Sequence, residues 1–559
     1  MKLGGLTLTV VSCISGTAAA GGLILPGAGA VSTSRAGASV AATEDAESIG
    51  LNPAGIAKTK GTKVTVGAAA INYFMTFQRN GSYDDNPNDA ESYEGQRYPV
   101  VTQDASPPLG IGRYQPVPVI GIVSDLGGRV PNLSVGFGLY APNAYPFRRM
   151  NNVGGQNYYV ENSTGYDYPA FGAPPPPTRY DIIAQEGAVI LPSIVAAYRV
   201  IPDLDVGLRF SAGFADVKST LAVWGSPGNT VEWIKGDGIF TLEAKDSFVM
   251  ALGAGAAYRI GKNIELGANF TPQTNITARG DAHAINGPSV SLNGEPFMVR
   301  PTDGTPLCAA GGTAQFQKGC VQFALPMTAT IGGRYKIVDE NDKEKADIEL
   351  DTTWEHWGKR CDYVSDPSCH SPSQFRVVVD AQVATASAPN NGINLKPNIV
   401  DHRFKDTFGV RLGGSYHIPA GANEVIARGG IAYDTRAAET GWERADLDGA
   451  ARTTLAAGAS YKMSRVQIDA GFGVVLEGTR TDSRNCNPVP DPSKQSAPPQ
   501  NVPFSGCGPG DVQQAIDDRQ GPDPVNPINT PESQLENPVN QGTYTSHYLM
   551  FMLGVSTWF

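Results

Sequence analysis

Beyond residue 20 the chain of 559 residues has no run of about 18 apolar residues, so nothing in it crosses a bilayer as a helix. It has only 6 His, scattered singly, and lacks HExxH, P-loop and G-x-S-x-G patterns. Zinc hydrolysis, nucleotide binding and serine hydrolase chemistry therefore have no local motif here, and no catalytic residue, cofactor or metal is expected. Gly253-Ala254-Gly255 and Gly471-Phe472-Gly473 precede no helical pattern and read as small positions facing a lumen. Basic residues number 43 against 54 acidic ones, a net charge of -11 placed partly in turns such as Asp339-Glu340-Asn341-Asp342. That balance argues against nucleic acid as a partner.

What is present begins with an export signal. Lys2 is followed by an apolar stretch from Leu6 to Ile14 and by Ala18-Ala19-Ala20, so residues 1–20 read as a signal peptide and the mature chain starts near Gly21. From Gly21 to Gly55 runs a Gly/Ala/Ser-rich segment ending in Asn52-Pro53-Ala54-Gly55. Its side chains are too small to build a core and too apolar for a solvated tail. It is expected to pack inside something else, with Asn52 to Gly55 at the turn into the first strand.

The rest alternates with period two. About fourteen candidate strands start near Lys63, Val117, Leu133, Glu186, Leu204, Phe248, Ile264, Ala324, Lys345, Lys405, Glu424, Arg452, Arg465 and Thr543. Val206, Leu208 and Phe210 share one face of the fifth, with Asp205, Gly207 and Arg209 on the other. Lipid outside and water inside would require such faces, although a soluble sandwich alternates too. The connections favour a membrane barrel, for long ones (79–115, 149–181, 220–246, 279–323, 480–542) alternate with short ones (125–132, 201–203, 261–263). The fold class expected is an all-β, antiparallel transmembrane barrel spanning 59–559, monomeric and bathed in outer-membrane lipid, with 21–58 inside its lumen.

Five strands end in Tyr before a basic residue, at Tyr198, Tyr258, Tyr335, Tyr416 and Tyr461. Amphipathic rings at one end of the strands predict an interfacial girdle. The terminal Phe559 closes a last strand whose alternate residues are apolar, which resembles the signal read by barrel-assembly machinery. Of 7 Cys, Cys13 leaves with the signal. Six Cys permit about fifteen connectivities, and local bridging of Cys308/Cys320, Cys361/Cys369 and Cys486/Cys507 in external loops is the economical choice. Arg209, Arg334, Arg411 and Arg428 fall on lumen faces, where they pair laterally with acids such as Asp205, Asp434, Asp469 and Glu477 or hold a ligand.

Several segments together resemble the FadL/TodX family of outer-membrane transporters for hydrophobic compounds. The likeness rests on the Gly21–Gly55 segment with its Asn-Pro-Ala-Gly end, on Leu133 to Pro142, on Asp351, Trp354 and Trp357 in DTTWEHWGK, and on RLGGSYHI with ARGGIAYDTRAA. The sequence departs from the family in lacking a Pro soon after Tyr433-Asp434 and in its long Pro/Asn/Gln-rich stretch from Pro488 to Gln541. The resemblance implies an N-terminal plug, passive uptake of a fatty acid or hydrocarbon, and lateral exit where the third strand is broken. Pro142, Asn143 and Pro146 mark that break, or simply the strand's end. Arg209, Arg411 and Arg428 are the candidates to hold a fatty-acid carboxylate. A general porin is the competing channel reading, and an outer-membrane barrel enzyme would need a nucleophile and base that no strand presents.

Overall fold

The computed structural model describes residues 25–559 except 80–82, 84–90, 108–109, 141–145, 163–164, 168–173, 224–236, 286–290, 293–294, 309–311, 314–315, 386, 388–391, 440–442, 483–485, 489–500, 504–510 and 515–541. The signal segment, Pro142, Asn143 and Cys507 thus lie outside the described residues. Fourteen antiparallel strands close on themselves. They are β1 (Thr62–Arg79), β2 (Gln115–Ser124), β3 (Leu133–Tyr140), β4 (Ala184–Ile201), β5 (Leu204–Val223), β6 (Gly238–Ile260) and β7 (Ile264–Thr271, then Thr274–Ile285). There follow β8 (Gln317–Leu325, then Met327–Val338), β9 (Glu344–His356), β10 (Thr407–Ala420), β11 (Asn423–Asp434), β12 (Arg452–Lys462), β13 (Val466–Asp482) and β14 (Gly542–Trp558). Closure is made by the ladder between β1 and β14, unbroken in register from Lys63↔Trp558 to Arg79↔Gly542.

The alternation in sequence becomes inside and outside. On β5, Leu208 is 68% exposed while its neighbour Arg209 is 2% exposed, so the apolar face looks outward and the polar face into the lumen. All five girdle tyrosines are exposed on the outer face near the short turns. Tyr198 lies opposite Val206, Tyr258 opposite Leu204, and Tyr335 opposite Ile264, which places them at one level of the wall.

At the other end the strands run further than period two alone suggests. β6 starts at Gly238, not near Phe248, and pairs its upper part with Arg279 to Ile285 of β7. Pro272 and Pro326 each interrupt a ladder because proline has no N–H, yet β7 and β8 resume beyond them. Above the interruptions, β8 pairs the hairpin strand Gln374–Thr385. The bridges Cys308–Cys320 and Cys361–Cys369 pin this upper layer, with Cys320 on β8 itself, not in a loop.

The segment from Leu25 to Thr59 lies in the lumen and is buried almost throughout. It contains α1 (Ala30–Ser34), α2 (Ser48–Leu51) and a 3-10 helix, Pro53–Lys58. Asn52 to Gly55 therefore open that short helix instead of turning directly into β1. The Asn52 side chain accepts from the Ala54 N–H at 3.1 Å and donates to the carbonyls of Val40 and Ala256 at 2.7 and 3.0 Å, capping the helix and tying it to β6. Pro53 fits the first helical position, where an N–H would be unused. Gly55 is small for packing: a Cβ there would sit 2.6 Å from the Thr43 carbonyl oxygen.

Backbone can lie this close to the wall because the wall withdraws its side chains. A Cβ on Gly207 (β5) would meet the Ala54 nitrogen at 2.4 Å, and one on Gly430 (β11) the Arg35 carbonyl at 2.3 Å. Gly267 on β7, Gly413 on β10 and Gly458 on β12 face the segment equally closely. These glycines form a collar moulded to one backbone path. Gly430→Val is expected to push the segment off the wall, with a cost of about 1–3 kcal/mol from overpacking. Protease cleavage of residues 30–50 in the intact barrel, together with a normal heat-stable barrel band on gels, would report it.

Candidate transport site

Three regions of the lumen carry chemistry. The first is a charged clamp beneath the collar. Asp347, Glu349 and Asp351 alternate along β9 and so all face inward. Arg35 reaches Asp347 at 2.7 Å and Glu349 at 3.0 Å. Glu349 Oε1 also accepts from the Ala41 N–H at 2.6 Å, while Asp351 Oδ2 accepts from the Ser39 and Val40 N–H groups at 2.8 and 3.0 Å. Lys58 and Lys336 bracket Glu265 at 3.0 and 2.7 Å. Arg334 bridges Glu265 and Asp347 at 3.2 and 3.0 Å. Opposite charges in a shielded lumen interact more strongly than in water, so this clamp fixes the segment from Arg35 to Lys58.

The second region is a polar cavity of about 110 Å³ beside the clamp, lined by Ser32, Glu47, Lys63, Ser415, Arg428 and Gln467 among others. The Glu47 carboxylate accepts from the Val31 N–H at 3.0 Å and the Ser32 N–H at 2.8 Å, both in the first turn of α1. Burial, and then the charge of Asp45, push the Glu47 carboxyl up to about 7 against those hydrogen bonds.

The third is apolar and lies between α1 and the outer end. Inward residues of β1 (Tyr73, Met75, Phe77) meet those of β14 (Tyr544, Tyr548, Met550), and Leu25 and Ala30 belong to the same cluster. Tyr73 and Tyr548 rings stand 4.3 Å apart, and Phe77 and Tyr544 4.5 Å. Met150, from the chain before β4, adds a further thioether. Charge at the rim is matched locally: Arg148 lies over the Tyr73 ring at 3.9 Å, Arg480 meets Asp448 at 2.8 Å, and Arg452 meets Glu477 at 3.0 Å. Polarisable thioethers and ring faces suit an apolar guest.

Of the lumen arginines singled out in the sequence, Arg334 and Arg428 border the same polar cavity, and Arg209 and Arg411 do not. Arg209 donates to the carbonyls of Ile49 and Gly50 at 2.8 and 3.3 Å, supporting the end of α2. Arg411 pairs Asp434 at 3.1 Å, and Arg428 lies 3.8 Å from Asp469. The other two acids named with them are paired as well, Asp205 by Arg199 and Arg259 and Glu477 by Arg452. The apolar cluster itself was missed in the sequence, although alternate Tyr/Met/Phe residues on the first and last strands are a readable signal once those strands adjoin.

At the wall, β3 pairs β4 only from Leu133↔Tyr198 to Tyr140↔Leu191, and pairing resumes with Arg148 and Arg149 opposite Gln185 and Ala184. The chain between these two paired parts, 141–145, lies outside the described residues. Pro146, just after it, packs beside Gly187. On β2, ladder contact with β3 starts at Ile120, and Pro116 and Pro118 before it offer no N–H.

Residues 11–489 match the family described as outer membrane protein transport protein (OMPP1/FadL/TodX). The chain belongs to this family of outer-membrane transporters. Its members are transport proteins for hydrophobic compounds, not enzymes, and the chain is an outer-membrane β-barrel. No curated protein sequence matches it. Among solved structures, a Pseudomonas aeruginosa FadL homologue is similar with a TM-score of 0.60 at 13% identity, over 96% of this chain and 100% of that one. The Pseudomonas putida toluene transporter TodX gives 0.55 at 12%, over 96% and 99%. The Ralstonia pickettii toluene transporter TbuX gives 0.52 at 14%, over 96% and 99%. At such identities these likenesses establish the shared fold.

Arg35→Ala would leave Glu349 without a cation, facing the Ala41 and Ala42 amides and the neighbouring Asp351 carboxyl. Removing one partner of a buried ion pair costs about 3–5 kcal/mol, so the clamp should loosen by roughly the lower figure, since Asp347 keeps Arg334. Subtilisin cleavage between residues 35 and 50 in assembled barrels should rise sharply relative to wild type.

Proposed function

We propose that the protein takes up neutral hydrophobic molecules, hydrocarbons above all, by passive diffusion, with residues 21–58 acting as a plug and exit sideways through the wall. The observation that carries this reading is the Met/Tyr/Phe cluster abutting the tip of the segment, with the surrounding charges already matched. Each methylene moved from water into such a lining gains about 0.8 kcal/mol, which suffices to load the lumen without an energy source. The clamp and collar oppose passage straight down past the segment. Pro116 and Pro118 of β2, which offer no N–H to a ladder, and the prolines of the sequence after β3, Pro142 and Pro146 with Asn143 between them, support a lateral route into the membrane. The barrel acts as a monomer sealed in outer-membrane lipid.

A long-chain fatty acid is the second reading. The guanidiniums of Arg148, Arg452 and Arg480 stand together at the rim of the apolar cluster. A fatty-acid headgroup would sit there and not at Arg209, Arg411 or Arg428, which are engaged with the plug or the wall.

Uptake of radiolabelled toluene and of oleate by cells carrying the protein decides between the readings. On the hydrocarbon reading, toluene uptake exceeds that of control cells and Arg148→Ala leaves it unchanged. Oleate uptake lost several-fold in Arg148→Ala, with toluene uptake absent throughout, would replace it with the fatty-acid reading. Deleting residues 21–50 is expected to raise permeability to small polar solutes, and unchanged permeability in a well-assembled barrel would refute a plug.

A further inference from the structure

The lumenal segment is held in two unlike ways. From Arg35 to Lys58 it is tied to barrel side chains through Asp347, Glu349, Asp351 and Glu265. Before Arg35 the ties change. Among the described residues, α1 makes no hydrogen bond to the barrel, and packs on Gly458 and Gly471. Its first-turn amides at Val31 and Ser32 are held instead by Glu47, sixteen and fifteen residues further along the same segment. One side of α1 borders the polar cavity, and the other, through Ala30, joins the apolar cluster.

We propose that Glu47 is the latch of the plug: it holds the tip, Leu25 to Ser34, across the lumen, and its proton occupancy sets how often that tip leaves its docked position on the wall. The inference rests on the plug reading above and assigns the moving part to the tip, while the clamped remainder stays in place.

Docking places the Glu47 carboxyl out of water next to Asp45, whereas a swung tip lets water reach it. The docked form therefore holds its proton up to about pH 7, above the ordinary glutamate value of 4.5. A raised carboxyl value means that docking is strongest below the ordinary value and weakens as pH rises from there to about 7, levelling off above. The ratio of swung to docked tips changes by up to about tenfold per pH unit in that window.

Other charges border the same space. Asp45 is paired with Lys63 of β1 at 3.3 Å, and Glu44 lies alongside. Arg35 follows α1, Arg334 and Glu344 come from β8 and β9, and Arg428 and Lys462 from β11 and β12. Asp469 of β13 lies behind Arg428. His417 of β10 is set between Glu344 and Glu424 at 3.6 and 3.4 Å.

The test is hydrogen exchange at the Val31 and Ser32 amides of the full chain in detergent, corrected for intrinsic rates, between about pH 5 and pH 8. Wild-type exchange should climb by about tenfold or more to about pH 7 and then flatten. Glu47→Gln, which keeps an acceptor and a similar shape but cannot ionise, should stay at the low-pH level throughout, while His417→Gln should keep the wild-type profile. A pH rise that survives in Glu47→Gln, or disappears in His417→Gln, overturns the latch. Should Glu47→Gln fail to assemble, the wild type answers the question, since constant protection of these amides between about pH 5 and 7 would overturn the proposal. The 21–50 deletion tests the plug separately, so a failed latch leaves that reading standing.

Discussion

The structure depends on the requirement that backbone N–H and C=O groups facing hydrocarbon be satisfied within the wall. The seventeen-residue register between β1 and β14 meets it by joining the two ends of the chain's strand order, so that no edge is left in lipid. Joining the first strand to the last has a second effect. It brings Tyr73, Met75 and Phe77 against Tyr544, Tyr548 and Met550, residues separated by most of the chain, and so builds the apolar cluster at the seam itself. On the function proposed above, the place where the barrel closes and the place that would receive a hydrophobic guest are one place.

The same requirement applies, in milder form, to the segment inside. Its backbone has little water and no sheet of its own, so the wall supplies acceptors: carboxylates of β9 for the Ser39 to Ala42 amides and a β6 carbonyl for Asn52. Donors come the other way, with Arg209 taking the carbonyls that end α2. Glycines around the ring bring the two backbones near enough for these bonds to form. Polar satisfaction and close approach work as one device, since neither the acids nor the missing side chains alone would hold the path.

Much of this was legible in the sequence because strands announce themselves by period two and lipid imposes one polarity on every outer face. The fourteen strand positions, the girdle and two local disulfides follow from such rules. What was not legible depends on pairing across distance. Arg35 and Asp347 are 312 positions apart, and no spacing rule links them. Arg209 looked like a ligand-holding cation because its true partners are backbone carbonyls, which every residue has and none advertises. The upper extent of β6 to β8 was hidden because it falls within 220–246 and 279–323, stretches that read as long connections.

The thioethers of the seam make the site chemically vulnerable in a way that an all-leucine lining would not be. Met75, Met150, Met550 and Met552 all belong to the buried apolar cluster. Oxidation of a thioether to the sulfoxide adds a polar oxygen and a new chiral centre. In a lumen that works by burial, each such oxygen would strand a polar group on the path of an apolar guest. A cell that meets peroxide outside its envelope would therefore lose hydrophobic uptake through chemical ageing of the channel lining while the barrel itself, held by backbone ladders, remained intact.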